Sequence, residues 1–171
     1  FLAAVAQQEA FLDAVPAMRA SHEVNADEAD ECLNLLAQSF VSHYPASGIG
    51  LPSYDRWWWG RDETPSYRRY ADNLRLIGAD TPDRRWLLKN PGHITHLDAL
   101  LTVFPDACII QTHRDPLETI PSIASFVWNL WTVYLENADP VRAGQQWSAI
   151  AARGLRGTMA YRAGPAGDRF H

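Results

Sequence analysis

Apolar side chains recur along this chain in two different rhythms, and proline or glycine stands at the changes between them. Over residues 1–15, Leu2, Val5, Ala6, Leu12 and Val15 lie at helical spacing and Pro16 follows, which predicts a first helix. Over 27–41, acidic residues lead and Leu33, Leu36 and Phe40 share one face, which predicts an amphipathic helix with favourable charge at its N-terminus. Residues 45–65 are punctuated by Gly, Pro and Ser around Trp57, Trp58 and Trp59, and read as a long surface loop with one short helical turn. Thr64 followed by Pro65 predicts a capped helix that runs to Ile77 and stops at Gly78.

Between 84 and 135 the rhythm changes. RRWLLK is a short apolar run, NPG a turn, and HITHLDALLTVF a helix with Ile94, Leu97, Leu100, Leu101 and Phe104 inward. FPDA breaks that helix, CIIQT is a second short run, and PLETIPSIASFVWNLWTVY begins a long helix with Pro116 in its first turn. Strand, crossover helix, strand, helix is a βαβα unit, so 85–89 and 108–112 are expected to be adjacent, buried, parallel strands. A last amphipathic helix, around Val141, Trp147, Ile150 and Leu155, spans 140–161. The expected fold is therefore one α/β domain over 1–171. It has a helical, Trp-rich region at 1–80, the βαβα unit at 84–135 and a C-terminal helix at 139–161.

Composition narrows the function classes. Apolar residues make up 47% and charged residues 20%, which is globular. A net charge of -5 argues against a broad nucleic-acid surface but leaves room for a local anion pocket. No apolar run approaches a bilayer span, and FLAAVAQQEAFLDAV lacks the basic start of a signal peptide. Cys32 and Cys108 are far apart and read as free thiols of a reducing compartment, so a cytoplasmic location is expected. The start without Met and the end at GDRFH suggest an internal piece of a longer chain.

The chemistry gathers where the two apolar runs end. Lys89 closes the first and Arg114 the second, each just before a helix whose free N–H groups favour an anion. Lys89 is also the only lysine among 15 basic residues. Arg suits a bidentate grip on phosphate, whereas Lys is a compact charge able to follow a moving group. The competing reading is two solvated residues, with Arg114 paired to Asp115 or Glu118. Ser122 lies eight residues past Arg114, next to Pro121, and reaches the same anion if its helix leans over the pocket. His93 stands at a helix start, where an imidazole can move a proton or donate to an anion. A metal centre on His93, His96 and His113 is disfavoured, because no carboxylate stands at ligand spacing.

The segment WLLKNPGHITHLDALLTVFPDACIIQTHRDPLETIPSIASF resembles the 3'-phosphoadenylyl sulfate-binding half of sulfotransferases, nearest the bacterial branch. The resemblance rests on Lys-x-Pro-x-His, Phe-Pro-Asp-Ala, and His-Arg-Asp-Pro with Ser eight residues past the Arg. It implies a P-loop-like sulfotransferase fold with a short parallel sheet flanked by helices. It implies that Arg114 and Ser122 grip the 3'-phosphate of the donor and that Lys89 meets the charge on the sulfuryl group and leaving phosphate. His93 matches a histidine that several branches place near the acceptor, which makes it a candidate catalytic base, the alternative being an acid in an N-terminal part outside this sequence.

The family's N-terminal loop that wraps the phosphosulfate is not found, since SGIG at 47–50 follows no predicted strand and lacks its basic residue. The expected activity is transfer of a sulfuryl group from 3'-phosphoadenylyl sulfate, without a metal, to a hydroxyl or amine of a small-molecule, lipid or carbohydrate acceptor. Alone, the chain is expected to be inactive. The alternative is a non-catalytic nucleotide-binding or scaffold domain on the same fold. A phosphotransferase is disfavoured by the lack of GxxxxGK[ST].

Overall fold

A computed structural model describes residues 2–21, 25, 28–42, 49–165 and 167–171. Its helices are α1 (Leu2–Ala14), α2 (Pro16–Ser21), α3 (Leu33–Ala37), α4 (Pro52–Trp59), α5 (Thr64–Ile77), α6 (Leu97–Val103), α7 (Pro116–Tyr134) and α8 (Pro140–Arg162). Two short 3-10 turns, Pro91–Thr95 and Gly167–Arg169, complete them.

Two apolar centres organise these helices. In α5, Tyr67, Tyr70, Ala71 and Leu74 recur at helical spacing and form one buried face. That face meets α3 and α6 over Cys32, Leu36 and Ala99, with Leu88, Leu100 and Phe104 packed against it. The second centre lies between α7 and α8. Both helices begin with Asp-Pro, and the carboxylates of Asp115 and Asp139 accept from the N–H groups of Leu117 and Val141 at 2.8 and 2.9 Å. A carboxylate cap and a proline in the first turn together fix each start. The two helices then pack around Val127, Trp131, Ala143, Trp147 and Ile150. Gly50 closes this centre: its φ is 64°, and a Cβ there would stand 2.5 Å from Cζ2 of Trp131.

The expected α/β architecture, with its βαβα unit and short parallel sheet, is corrected by the structure. Among the described residues there is no strand, and the two apolar runs do not pair with each other. The run at 108–112 finds its partner in the chain's end instead. Ile109 donates to the carbonyl of Arg169 at 2.8 Å and accepts from His171 at 2.9 Å, which makes one isolated parallel bridge between Ile109 and Phe170. The run at 85–89 has no regular structure, and Leu87 and Ile110 are 90% and 71% exposed. The physical reason is that a strand is held by the backbone beside it, not by its own apolar content. Neither run is buried as expected: no side chain of 85–89 or 108–112 is more than partly covered.

Other expectations shift by less. The helix expected over 27–41 holds only Leu33–Ala37, and Phe40 sits at a left-handed φ of 58° with its ring exposed rather than on the buried face. Residues 26–27 and 43–48, including Ser47 and Gly48 of SGIG, lie outside the described residues. The tryptophan triplet rides on α4 rather than on a loop, with Trp58 buried and Trp57 exposed. The helix expected after the NPG turn divides at His96, whose φ is −140°. At the start of α5 the N-cap is Glu63, one residue before the expected Thr64.

Candidate functional site

The KNPGH turn is built from its own side chains. Asn90 is buried and accepts from the N–H of Gly92 at 2.8 Å, while the hydroxyl of Thr95 donates to the Gly92 carbonyl at the same distance. This cap winds Pro91–Thr95 into a 3-10 turn, which rests on α8. The close approach requires Gly154, where a Cβ would come within 2.9 Å of Ile94 Cγ2.

Wound in this way, the turn directs His93 into the first apolar centre, among the rings of Tyr67 and Tyr70. The Tyr67 hydroxyl lies 2.8 Å from Nδ1, and Sγ of Cys32 lies 3.5 Å from Nε2. Cys32 Sγ in turn donates to the Lys89 carbonyl at 3.3 Å, and the Cys32 N–H donates to the same oxygen at 2.9 Å. The proton directions follow. Tyr67 is buried, His93 is the partner of its hydroxyl, and an O–H buried without an acceptor is costly. Tyr67 therefore donates to Nδ1, Nε2 carries the imidazole proton, and Cys32 receives it while giving its own to Lys89. Burial pushes the Tyr67 phenol and the Cys32 thiol up from their ordinary values, so both keep their protons.

Lys89 is thus held by its backbone, and its ammonium pairs with the carboxylate of Glu31. The Lys89 side chain is 70% exposed and that of Glu31 only 14%. The structure joins Lys89 and His93 through Cys32. Arg114 and Ser122 sit differently. Arg114 Nε donates to Glu118 at 2.9 Å with both side chains mostly exposed, and Ser122 is exposed on α7, which continues through Pro121. Arg114 thus pairs along its own helix, whereas Lys89 and His93 reach across the chain to Glu31, Cys32 and Tyr67.

Several buried polar groups escaped the sequence reading. Glu63 is buried at the α4–α5 junction, and burial, opposed by hydrogen bonds from Ser66 and Trp58, pushes its carboxyl up to about 7. The His96 ring lies against Trp58, tilted by 59° with centroids 4.9 Å apart, and burial lowers it to about 4. Asp55 accepts from the Gln146 side chain and is also raised by burial. Nothing in the sequence marked Glu63 or Asp55 as buried, since both stand among polar, turn-forming neighbours. Cys32 was read only as a free thiol and Tyr67 was not singled out, and neither was legible as a partner of His93. Among the described residues no group of three His, Cys, Asp or Glu is placed to hold a metal ion, and no helix is long and apolar enough to cross a membrane.

Comparison with known proteins supplies the context for this geometry. A profile of the sulfotransferase family matches residues 2–171. The chain belongs to the sulfotransferase family. Two solved sulfotransferases agree. STF1 from Mycobacterium tuberculosis H37Rv is 38% identical with a TM-score of 0.79, over 87% of this chain and 41% of its own. STF9 from Mycobacterium avium is 28% identical with a TM-score of 0.81, over 99% of this chain and 44% of its own. The chain therefore spans less than half the length of either structure. No curated protein matches it. The KNPGH turn and the HRDP helix start, on which the resemblance rested, differ in how firmly the fold holds them.

Proposed function

We propose that the full-length protein transfers a sulfuryl group from 3'-phosphoadenylyl sulfate to a hydroxyl or amine of a small-molecule, lipid or carbohydrate acceptor. The observation that supports this most is family membership across residues 2–171, together with the only lysine standing on a capped, internally bonded turn. In the proposed reaction the acceptor oxygen or nitrogen bonds to sulfur as the bond from sulfur to the bridging phosphate oxygen breaks. The acceptor gives up its proton, and adenosine 3',5'-bisphosphate leaves with the electron pair. Lys89 meets the charge that grows on the bridging oxygen and the sulfuryl group, the place where a cation does most for the rate. Arg114 and Ser122 hold the 3'-phosphate, with Arg114 exchanging Glu118 for the ligand.

His93 stands beside Lys89, but Tyr67 takes its Nδ1 lone pair and its Nε2 faces Cys32. In this arrangement it orients the lysine turn, and proton removal falls to another group. Both cysteines are free thiols, which suits a reducing cytoplasm. The test is turnover of the full-length protein with 3'-phosphoadenylyl sulfate and a panel of alcohols and amines. Release of adenosine 3',5'-bisphosphate that depends on acceptor and is lost in Lys89→Ala supports the reading. Nucleotide binding without turnover of any acceptor supports a binding domain instead.

A further inference from the structure

We infer that the Glu31–Cys32 segment, which lies outside the sulfotransferase motif, is the holder of Lys89, and that Glu31 is the counter-ion an anionic donor group must replace. The inference rests on the sulfotransferase reading given above. Two independent grips carry it. Cys32 fastens the Lys89 carbonyl through both its N–H, at 2.9 Å, and its thiol, at 3.3 Å, so the backbone of Lys89 is pinned. The neighbouring Glu31 carboxylate reaches the other end of the same residue, the ammonium.

The asymmetry of exposure gives the pair its direction. With Glu31 14% exposed and Lys89 70% exposed, the carboxylate is the enclosed member and the ammonium the solvated one. A lysine side chain has four rotatable carbons, so Nζ can leave Glu31 without moving the pinned backbone. Until it does, its charge is neutralised, and an incoming anion gains only the difference between its own attraction for Nζ and that of Glu31. A phosphate or phosphosulfate group with more than one negative charge wins that exchange, and a simple monoanion does not. Glu31 thereby sets which anions engage Lys89. It is a positioning residue acting through Lys89, with no contact to the reacting atoms assigned to it.

Titration calorimetry of the full-length protein with adenosine 3',5'-bisphosphate tests this in a double-mutant cycle of Glu31→Gln and Lys89→Ala. Glu31→Gln should tighten binding about fivefold, the scale of one partly exposed ion pair, and the gain should vanish in the Lys89→Ala background. Glu31→Asp, which keeps the charge but draws it back, should fall between wild type and Glu31→Gln and serves if the Gln variant unfolds. In turnover, Glu31→Gln should lower KM for the donor while kcat stays within about twofold.

Weaker binding, or a gain that persists without Lys89, overturns the inference. So does a large fall in kcat at unchanged donor affinity, which would make Glu31 a proton acceptor. A wild-type protein that does not bind the bisphosphate removes the sulfotransferase reading and the inference together. Binding that is indifferent to Glu31 removes the inference alone.

Discussion

The turns that carry Lys89 and Arg114 occupy matching places in the sequence, each a basic residue between a short apolar run and a helix start. The fold treats them in opposite ways. The Lys89 turn is tied into the α3–α5–α6 centre by Asn90, Cys32, His93 and Tyr67, so its geometry is settled before any ligand arrives. The Arg114 turn is held by the Asp115 cap on its helical side and by backbone bonds of Ile109 and Gln111 to Arg169 and His171 before it, but its guanidinium lies on an exposed i,i+4 partner. An exposed pair of this kind is worth little by itself, about 0.3–0.5 kcal/mol, and is easily exchanged. The difference suits a division of labour. A group that meets charge developing during the reaction gains from a fixed frame, whereas a group that grips a pre-formed phosphate can be ordered by that phosphate.

The largest effect is expected at Lys89. In the full-length protein Lys89→Ala should lower kcat by roughly 10²–10³-fold and donor affinity much less, because the charge it meets grows in the transition state. Equal losses in both would reduce Lys89 to a binding residue, no different in kind from Arg114.

Next comes Arg114→Ala, expected to weaken adenosine 3',5'-bisphosphate by about 2–4 kcal/mol, with Ser122→Ala weakening it by about 1 kcal/mol. Adenosine 5'-phosphate should hardly respond to either change. If both nucleotides weaken alike in calorimetry, Arg114 acts through the fold or on another phosphate.

Tyr67→Phe sharpens the comparison from the core side. It leaves His93 without its donor and should destabilise the protein by about 1–3 kcal/mol, read by urea unfolding. Nitrogen NMR of the wild-type imidazole should show the proton on Nε2, and the variant should lose that single tautomer. The smallest effect is expected at Glu63. Its folded-state value of about 7 lies above the ordinary 4.5, so its contribution to stability is full below pH 4.5 and is lost as pH rises through 7. Glu63→Gln should match wild type near pH 4.5 and exceed it at pH 8 by on the order of 1 kcal/mol. A gap that does not widen with pH would show that burial leaves Glu63 ionised.

Some helix starts and stops were legible locally, but the buried faces only in part, since Phe40, Val141 and Leu155, expected on them, are exposed. The starts at Pro116 and Pro140 and the stop at Gly78 are local matters of proline and glycine chemistry, and they emerge as read. The family motif was equally legible, because it is a matter of residue type and spacing. Tertiary structure alone decided the rest. Whether 85–89 and 108–112 become strands depends on which backbone lies beside them, and Arg169–His171 takes that place for one run. Cys32 read as a free thiol and Tyr67 as one position of a helix, yet both are partners of His93, which stands 61 and 26 positions away from them. Glu31 reads as one acid among several and becomes the counter-ion of the only lysine. Each of these is a contact across long stretches of chain, and periodicity reports which face of a segment is buried but not against what.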